Sequence, residues 1–239
     1  MTLLLYALVT PSGAKPRLRG MRGEPLRVVS AAGVGALIGA VSSSPQPQAR
    51  NLRAYHDVML AVSRRFTALV PVRFGTAVAD EEELSFILRT RAETFRRLLA
   101  AVRGRVQMTA RFVDVSGGEE DSARPADRSS GTAYLRSRAT LHVRLAESAA
   151  CVQLRGRVER WIRGERLEWR NRVMTMYHLV PRGAAERYRR AIEDIALPDG
   201  RRVHVSGPFP PFAFADPLRP EAAAAGPTSG APVPVRRRG

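Results

Sequence analysis

The run DEEELSFILRTRAETFRRLLAAVRGRVQMTARF, Asp80 to Phe112, changes its hydrophobic period partway along, and that change decides the fold class. Leu84, Ile87, Leu88, Phe95, Leu98, Leu99 and Val102 keep to one face of a helix. Asp80 predicts the N-cap, and Glu81, Glu82 and Glu83 suit the positive end of the helix dipole, with Glu83 placed for a capping box. Gly104 ends the helix. Beyond it Val106, Met108, Ala110 and Phe112 alternate with Gln107, Thr109 and Arg111, the pattern of a half-buried strand.

Toward the N-terminus the same two periods interleave. Leu3 to Val9 is a short apolar run closed by Pro11, Ser12 and Gly13, which reads as a buried strand. Residues 11 to 25 read as loop. Leu26 to Val29 and Ala36 to Val41 read as two strands of a hairpin around Gly33 and Gly35. Pro45 and Pro47 break the chain, and Asn51 caps a helix with Leu52, Tyr55, Met59, Val62, Phe66 and Leu69 on one stripe. Pro71 is expected to stop that helix, and Val72 to Ala79 to form a strand. Residues 1–115 thus read β-β-β-α-β-α-β.

Toward the C-terminus, residues 116–131 hold Gly117, Gly118, Pro125, several serines and four acids, which is linker composition. Thr132 to about Ile162 reads as one long helix with Leu135, Leu141 or His142, Leu145, Ala149, Val152 and Trp161 turned to a core. Leu167–Trp169 and Arg172–Val180 read as strands, Ala184–Ala196 as a helix, and Arg202–Ser206 as a last strand. Residues 132–215 give α-β-β-α-β. Interleaving of this kind predicts an α+β protein of two α/β domains, with helices layered on largely antiparallel sheets. Residues 216–239 are rich in Pro, Ala and Gly, end Arg236-Arg237-Arg238, and are expected to be a disordered tail.

Composition sets the function classes. The 239 residues are 44% hydrophobic and 26% charged, ordinary globular values. One cysteine, Cys151, can form no intramolecular disulfide and no Cys-based zinc site, which points to a reducing compartment and a cytoplasmic protein. The N-terminal run lacks the basic n-region of a secretory signal, and Val28 to Val41 is shorter than the roughly 20 residues of a membrane span. Lys and Arg number 39 against 22 Asp and Glu, a net charge of +17, and Lys15 is the only lysine. A balance of that size steers polyanions, so a basic nucleic-acid-binding protein is the alternative reading. Against it, the excess divides almost equally between residues 1–115 and 129–215, without the aromatics a nucleic-acid module interleaves.

Chemistry-bearing patterns are sparse. His56, His142, His178 and His204 fall on different elements and form no chelating pair. Gly33, Gly35 and Gly39 approach a dinucleotide fingerprint in composition but have no following helix to receive a pyrophosphate. No phosphate-binding loop or nucleophile elbow occurs, and Cys151 reads as a small buried hydrophobe. No catalytic residue, cofactor or metal is therefore expected. Two stretches stand out instead: Pro71-Val72-Arg73-Phe74-Gly75-Thr76, and the polyproline-like Gly207-Pro208-Phe209-Pro210-Pro211-Phe212-Ala213-Phe214. Arg73 could meet a partner carboxylate or an internal one, and Gly75 is expected to resist substitution because backbone approaches it closely. The aromatics of the second stretch could strap the core or dock a partner.

Five blocks, in order, carry a family resemblance: Leu4–Val9, Tyr55-His56-Asp57-Val58, Pro71–Thr76, Gly131-Thr132-Ala133-Tyr134-Leu135 and Ser206–Phe214. With them the chain resembles the GvpL/GvpF family of gas vesicle proteins over roughly residues 3 to 215. Phe209 stands where the family usually has Trp and Phe212 where Tyr is common, and both keep an aromatic ring. The resemblance implies a non-enzymatic accessory protein of gas vesicle assembly, located in the cytoplasm and at the gas vesicle. Its implied partners are the small hydrophobic shell protein (GvpA-type) and other gas vesicle accessory proteins. It further implies two α/β domains with a ferredoxin-like C-terminal half, which agrees with the α-β-β-α-β string. Pro71, Arg73, Phe74, Gly75, Tyr134, Gly207, Pro208, Pro210, Pro211 and Phe212 are the family-motif residues expected to be structural or to contact a partner.

Overall fold

The computed structural model of the protein describes residues 1–11, 17–113, 148–197 and 202–215. The expected linker 116–131, Tyr134 with its block, the first half of the helix expected from Thr132, and the tail 216–239 lie outside the described residues. Two compact units are present, one formed by Met1–Val106 and rejoined from Phe209 onward, the other running from Gln107 to Pro208.

The first unit is built on strand β1 (Thr2–Val9), whose residues from Leu3 onward are all buried. A strand covered on both faces needs an unbroken apolar run rather than alternation, and LLLYALV supplies one. Its neighbour on one side is β3 (Val34–Val41), paired antiparallel from Thr2↔Val41 to Val9↔Gly35. β2 (Leu26–Ala31) closes the hairpin onto β3 through a two-residue turn at Ala32 and Gly33, both at positive φ. On its other side β1 pairs with β4 (Leu69–Pro71) and β5 (Ala77–Val78).

Helix α1 (Ala49–Ser63) buries Tyr55, Met59 and Val62, each contributing roughly 1.5–3 kcal/mol of apolar burial. It ends eight residues before Pro71, the expected stop. Leu69 and Pro71 are strand residues opposite Val9 and Ala7, at a place where the missing proline N–H does no harm. Leu52, expected in the stripe, is 44% exposed. The expected strand Val72–Ala79 is a turn followed by the short β5. Helices α2 (Glu81–Thr90) and α3 (Ala92–Val102) replace the single helix read from Asp80, because Arg91 leaves helical backbone at φ −108°, ψ 16° without any glycine or proline to announce it. The Asp80 cap holds: its Oδ1 accepts from Glu83 N–H at 2.9 Å, and Glu83 accepts in turn from Ala79 N–H at 2.7 Å.

In the second unit β6 (Arg105–Val113), α4 (Ala149–Val158), β7 (Gly164–Arg170), β8 (Val173–Pro181), α5 (Ala185–Glu193) and β9 (His204–Phe209) follow one another, and the sheet order is β7-β8-β6-β9. That is the β-α-β-β-α-β string and strand order of a ferredoxin-like fold. The strand that opens it is β6, which the period of the sequence attached to the preceding helices. Its sheet partners lie in the later half of the chain, so the alternation identified the strand but not its sheet.

Ser148, with extended backbone at ψ 143°, caps a helix by accepting from Cys151 N–H, so a helix expected across residues 132–162 does not run through it. The apolar face is reset with it: Ala150, Cys151, Leu154 and Val158 are buried, while Val152 is 54% exposed. Helix α5 buries Ala185, Tyr188 and Ile192 and packs against α4. No helix among the described residues is long and apolar enough to cross a membrane.

Candidate functional site

Four of the five sequence blocks converge in the first unit. Tyr6, in the middle of β1, stacks on Tyr55 of α1 with ring centroids 5.9 Å apart, and Phe74 meets Tyr55 edge-on at 5.5 Å. The Tyr55 hydroxyl donates to the carbonyls of Val72 and Tyr6, and Val72 N–H donates to Tyr6 O at 3.0 Å. One side chain thus ties helix, central strand and turn together. Burial pushes the Tyr55 phenol well above its ordinary range, so it stays a donor. Burial, helped by the hydrogen bond to Glu24, does the same for Tyr6. Tyr6 donates to Glu24 and accepts from Met21 N–H at 3.0 Å, which folds the 18–25 loop onto the sheet.

His56, next to Tyr55 but turned outward, faces Phe209 at 5.8 Å and stacks on Phe212 at 5.9 Å. All three rings are half-buried. Leu52 lies one turn before His56 on the same helix face and is exposed. Together these residues form a part-exposed aromatic and apolar surface beside the buried cluster, and Phe212 packs against that cluster.

The structure places the motif residues individually. Pro71 is buried in β4. Arg73 is exposed and meets no carboxylate among the described residues, while its carbonyl accepts from Thr76 N–H at 3.1 Å and Thr76 Oγ1 at 2.8 Å. Gly75 sits inside that turn at φ +81°, with its nearest would-be neighbours 3.8 Å away. Its requirement is conformational and not the close backbone approach expected from the sequence. Gly207 combines both: φ is +117°, a Cβ there would lie 2.7 Å from Gln107 O, and its own carbonyl accepts from Arg189. The Gly207–Pro208 bond is cis, and Pro210 and Pro211 are buried.

Sequence reasoning missed a second constellation. In the second unit Arg155 of α4 grips Glu165 of β7 with two nitrogens, Nη2 to Oε1 at 2.9 Å and Nε to Oε2 at 3.1 Å. His178, opposite Glu165 on β8, places Nε2 2.8 Å from Oε2 and Nδ1 2.6 Å from the Tyr188 hydroxyl of α5. Burial pushes Tyr188 far above the usual phenol range, so it donates and Nδ1 accepts, leaving Nε2–H to donate to the carboxylate. Burial alone would raise Glu165, but the hydrogen bonds from His178 and Arg155 outweigh it and hold the carboxyl at about 2. The order of groups is that of an acid–base relay, yet His178 and Tyr188 are both 0% exposed, so no substrate can reach either. The chain of bonds joins both helices to the β7–β8 hairpin. The legible signal was Glu165, Leu167 and Trp169 sharing one strand face. Starting that strand at Leu167 instead of Gly164 hid it. No group of three or more His, Cys, Asp or Glu among the described residues could hold a metal.

Comparison with known proteins agrees along the whole fold. The family model described as "Gas vesicle synthesis protein GvpL/GvpF" matches residues 2–216. Two curated relatives come from one Streptomyces species. Gas vesicle protein L is 26% identical, covering 88% of this chain and 91% of its own length. Gas vesicle protein F is 25% identical, covering 90% of this chain and 100% of its own. Crystal structures of gas vesicle protein GvpF from Microcystis aeruginosa and from an Anabaena species superpose with TM-scores of 0.67 and 0.69. Each is 17% identical and covers 90% of this chain, with 99% and 96% of the respective structures matched.

Proposed function

We propose that this chain, which belongs to the GvpL/GvpF family of gas vesicle synthesis proteins, serves gas vesicle formation as a non-enzymatic assembly factor that binds the hydrophobic shell protein. The observation that carries the reading is the convergence just described. Blocks separated by more than a hundred residues fold into one aromatic cluster whose outer side, Leu52, His56, Phe209 and Phe212, stays partly open. A shell subunit that exposes apolar surface before assembly is an aggregation hazard, and a soluble protein with a rigid aromatic surface can cover it. Tyr6, Tyr55 and Phe74 hold the surface in place from beneath. Arg73, exposed and meeting no carboxylate among the described residues, supplies a cation beside the same turn for a partner acid.

The protein acts in the cytoplasm, where shell subunits are made, and remains with the finished vesicle as a minor component. The test is co-purification of the shell protein with the full chain and with Phe212→Asp and Leu52→Asp variants that keep the wild-type unfolding curve. Loss of capture by both variants is expected, together with defective vesicles in cells carrying them. Unchanged capture, or normal vesicles in a deletion strain, overturns the reading. Immunodetection on purified vesicles tests retention separately.

A further inference from the structure

We infer that the end of the first unit where α1 and α3 terminate is a docking surface for an acidic segment of a protein partner. Gly104 N–H donates to Thr67 O at 2.7 Å, so the loop after α1 and the loop after α3 lie against each other. That contact brings together Arg64 and Arg65 from one loop and Arg103 from the other, all exposed. None of the three meets a carboxylate among the described residues, and residues 64–68 and 103–105 contain no acid. Register places the patch: Leu69 follows the first loop and pairs with Val9, at the finishing end of β1. The Ala32–Gly33 turn of the β2–β3 hairpin is at that end as well, again without an acid.

Of the unit's seven acids among the described residues, Asp57 lies two turns before Arg64 on α1, Glu93 is in the first turn of α3, and the other five are at the opposite end. Val78 pairs with Leu3 at the starting end of β1 and leads directly into Asp80–Glu83, and Leu26, beside Glu24, pairs with Gly39. The first unit is therefore polarised along its central strand. Helix dipoles explain part of the basic end, since a cation near a helix C-terminus offsets the negative end of the dipole. One arginine per helix would meet that need, and three crowd like charges instead. Three planar forks on a surface without competing carboxylates suit a run of Asp and Glu. A nucleic acid suits it less, because the patch has no exposed aromatic to stack a base: Phe66, the ring between the arginines, is buried.

This inference is independent of shell-protein binding. It is tested on the full chain by titrating poly-L-glutamate, and a single-stranded oligonucleotide of equal length, at fixed ionic strength. The patch variant is Arg64→Ser/Arg65→Ser/Arg103→Ser. A control of equal charge, Arg157→Ser/Arg170→Ser/Arg187→Ser, removes exposed arginines from three separate elements of the second unit. Loss of three exposed, screened charge contacts together predicts roughly tenfold weaker poly-glutamate binding by the patch variant. The control should lose less than a third as much. Equal losses would show that overall charge alone attracts the polymer and would overturn the inference, as would no loss or no binding. Tighter binding of the oligonucleotide than of poly-glutamate would reassign the patch to nucleic acid and overturn it too. Unchanged denaturation curves for both variants exclude unfolding as the cause.

Discussion

Tyr55 and Tyr188 are each buried near the middle of their unit, in opposite company. Around Tyr55 lie two aromatic rings and two backbone carbonyls, so its neighbours are neutral, and the Tyr6 carbonyl also accepts from Val72 N–H. Tyr188 ends a line of four groups that includes an arginine and a carboxylate, where each member depends on the next. Polar interiors built by these two routes fail differently. Removing one neutral donor from the first unit leaves the Tyr6 carbonyl its Val72 N–H partner and strands no charge. Taking the carboxylate from the second removes the group that both Arg155 and His178 bond, the costlier fault.

Glu165→Gln is the hardest test of that contrast. Arg155 keeps its charge but loses its carboxylate, and the second unit should lose about 3–5 kcal/mol. Tyr55→Phe in the first unit should lose about 1–2 kcal/mol. Trp161 and Trp169 are the only tryptophans and both belong to the second unit, so tryptophan fluorescence in urea follows that unit alone. Hydrogen exchange at β1 follows the other. Comparable losses in the two units would remove the distinction.

Acid probes the same difference more gently. Glu165 is held at about 2 in the folded protein against 4.5 for a free side chain, so its contribution is full above about pH 4.5 and drains away as pH falls toward 2. The urea midpoint read by tryptophan should drop through that window in the wild type, and in Glu165→Gln this part of the slope should vanish. A wild-type midpoint that stays level from pH 5 to pH 2.5 would show that the carboxylate is not held as described.

The two motif glycines sharpen the comparison at backbone level. Gly75→Ala must bear only a left-handed backbone, about 1–2 kcal/mol, and Gly75→Asn should recover part of it. Gly207→Ala must in addition push against Gln107 O, so it should cost more, and Asn should give no relief there. Thermal melts of the four variants check the ordering.

Much of this architecture was legible in the sequence because burial and period report each other. β1, the β2–β3 hairpin, the Asp80 cap, the β7–β8 pair and α5 follow from apolar spacing and turn chemistry; α1 follows from spacing alone, since it starts at Ala49 behind Gln48 and carries the expected cap, Asn51, inside its first turn. What period could not report is which sheet a strand joins, and β6 is the case in point: alternation identified the strand, but Gln107 and Thr109, read as its solvent side, are buried, and its partners lay dozens of residues downstream. The helix break at Arg91 and the helix start at Ser148 were equally hidden, the first because no breaker residue marks it, the second because a lone serine in the Ala-rich run LAESAACV does not interrupt the helical composition around it. For the candidate surface, the blocks were visible one by one, but the stacking of His56 on Phe212 needed the chain to return to the first unit. Glu165 and His178 pair only through a register that the sequence does not state.

The smallest effect lies in the hairpin turns, and it compares the units on equal terms. β2–β3 turns at Ala32-Gly33 and β7–β8 at Asn171-Arg172, both with Cα partners directly flanking a two-residue loop and positive φ at both central positions. Such turns favour Asn or Gly at each place, so each hairpin carries one suited residue and one unsuited one, in opposite order. Ala32→Asn should relieve φ +49° in the first unit and Arg172→Gly φ +61° in the second. Each should stabilise by a few tenths to about 1 kcal/mol, glycine's gain being trimmed by the greater freedom it gives the unfolded chain. Because neither turn touches the tyrosine cluster or the ionic relay, the two gains should be similar and additive, read as raised urea midpoints in the unit concerned. A gain in one unit that also moves the other unit's midpoint would mean the two unfold together, and the separate accounting of their cores would then have to be replaced by a single one.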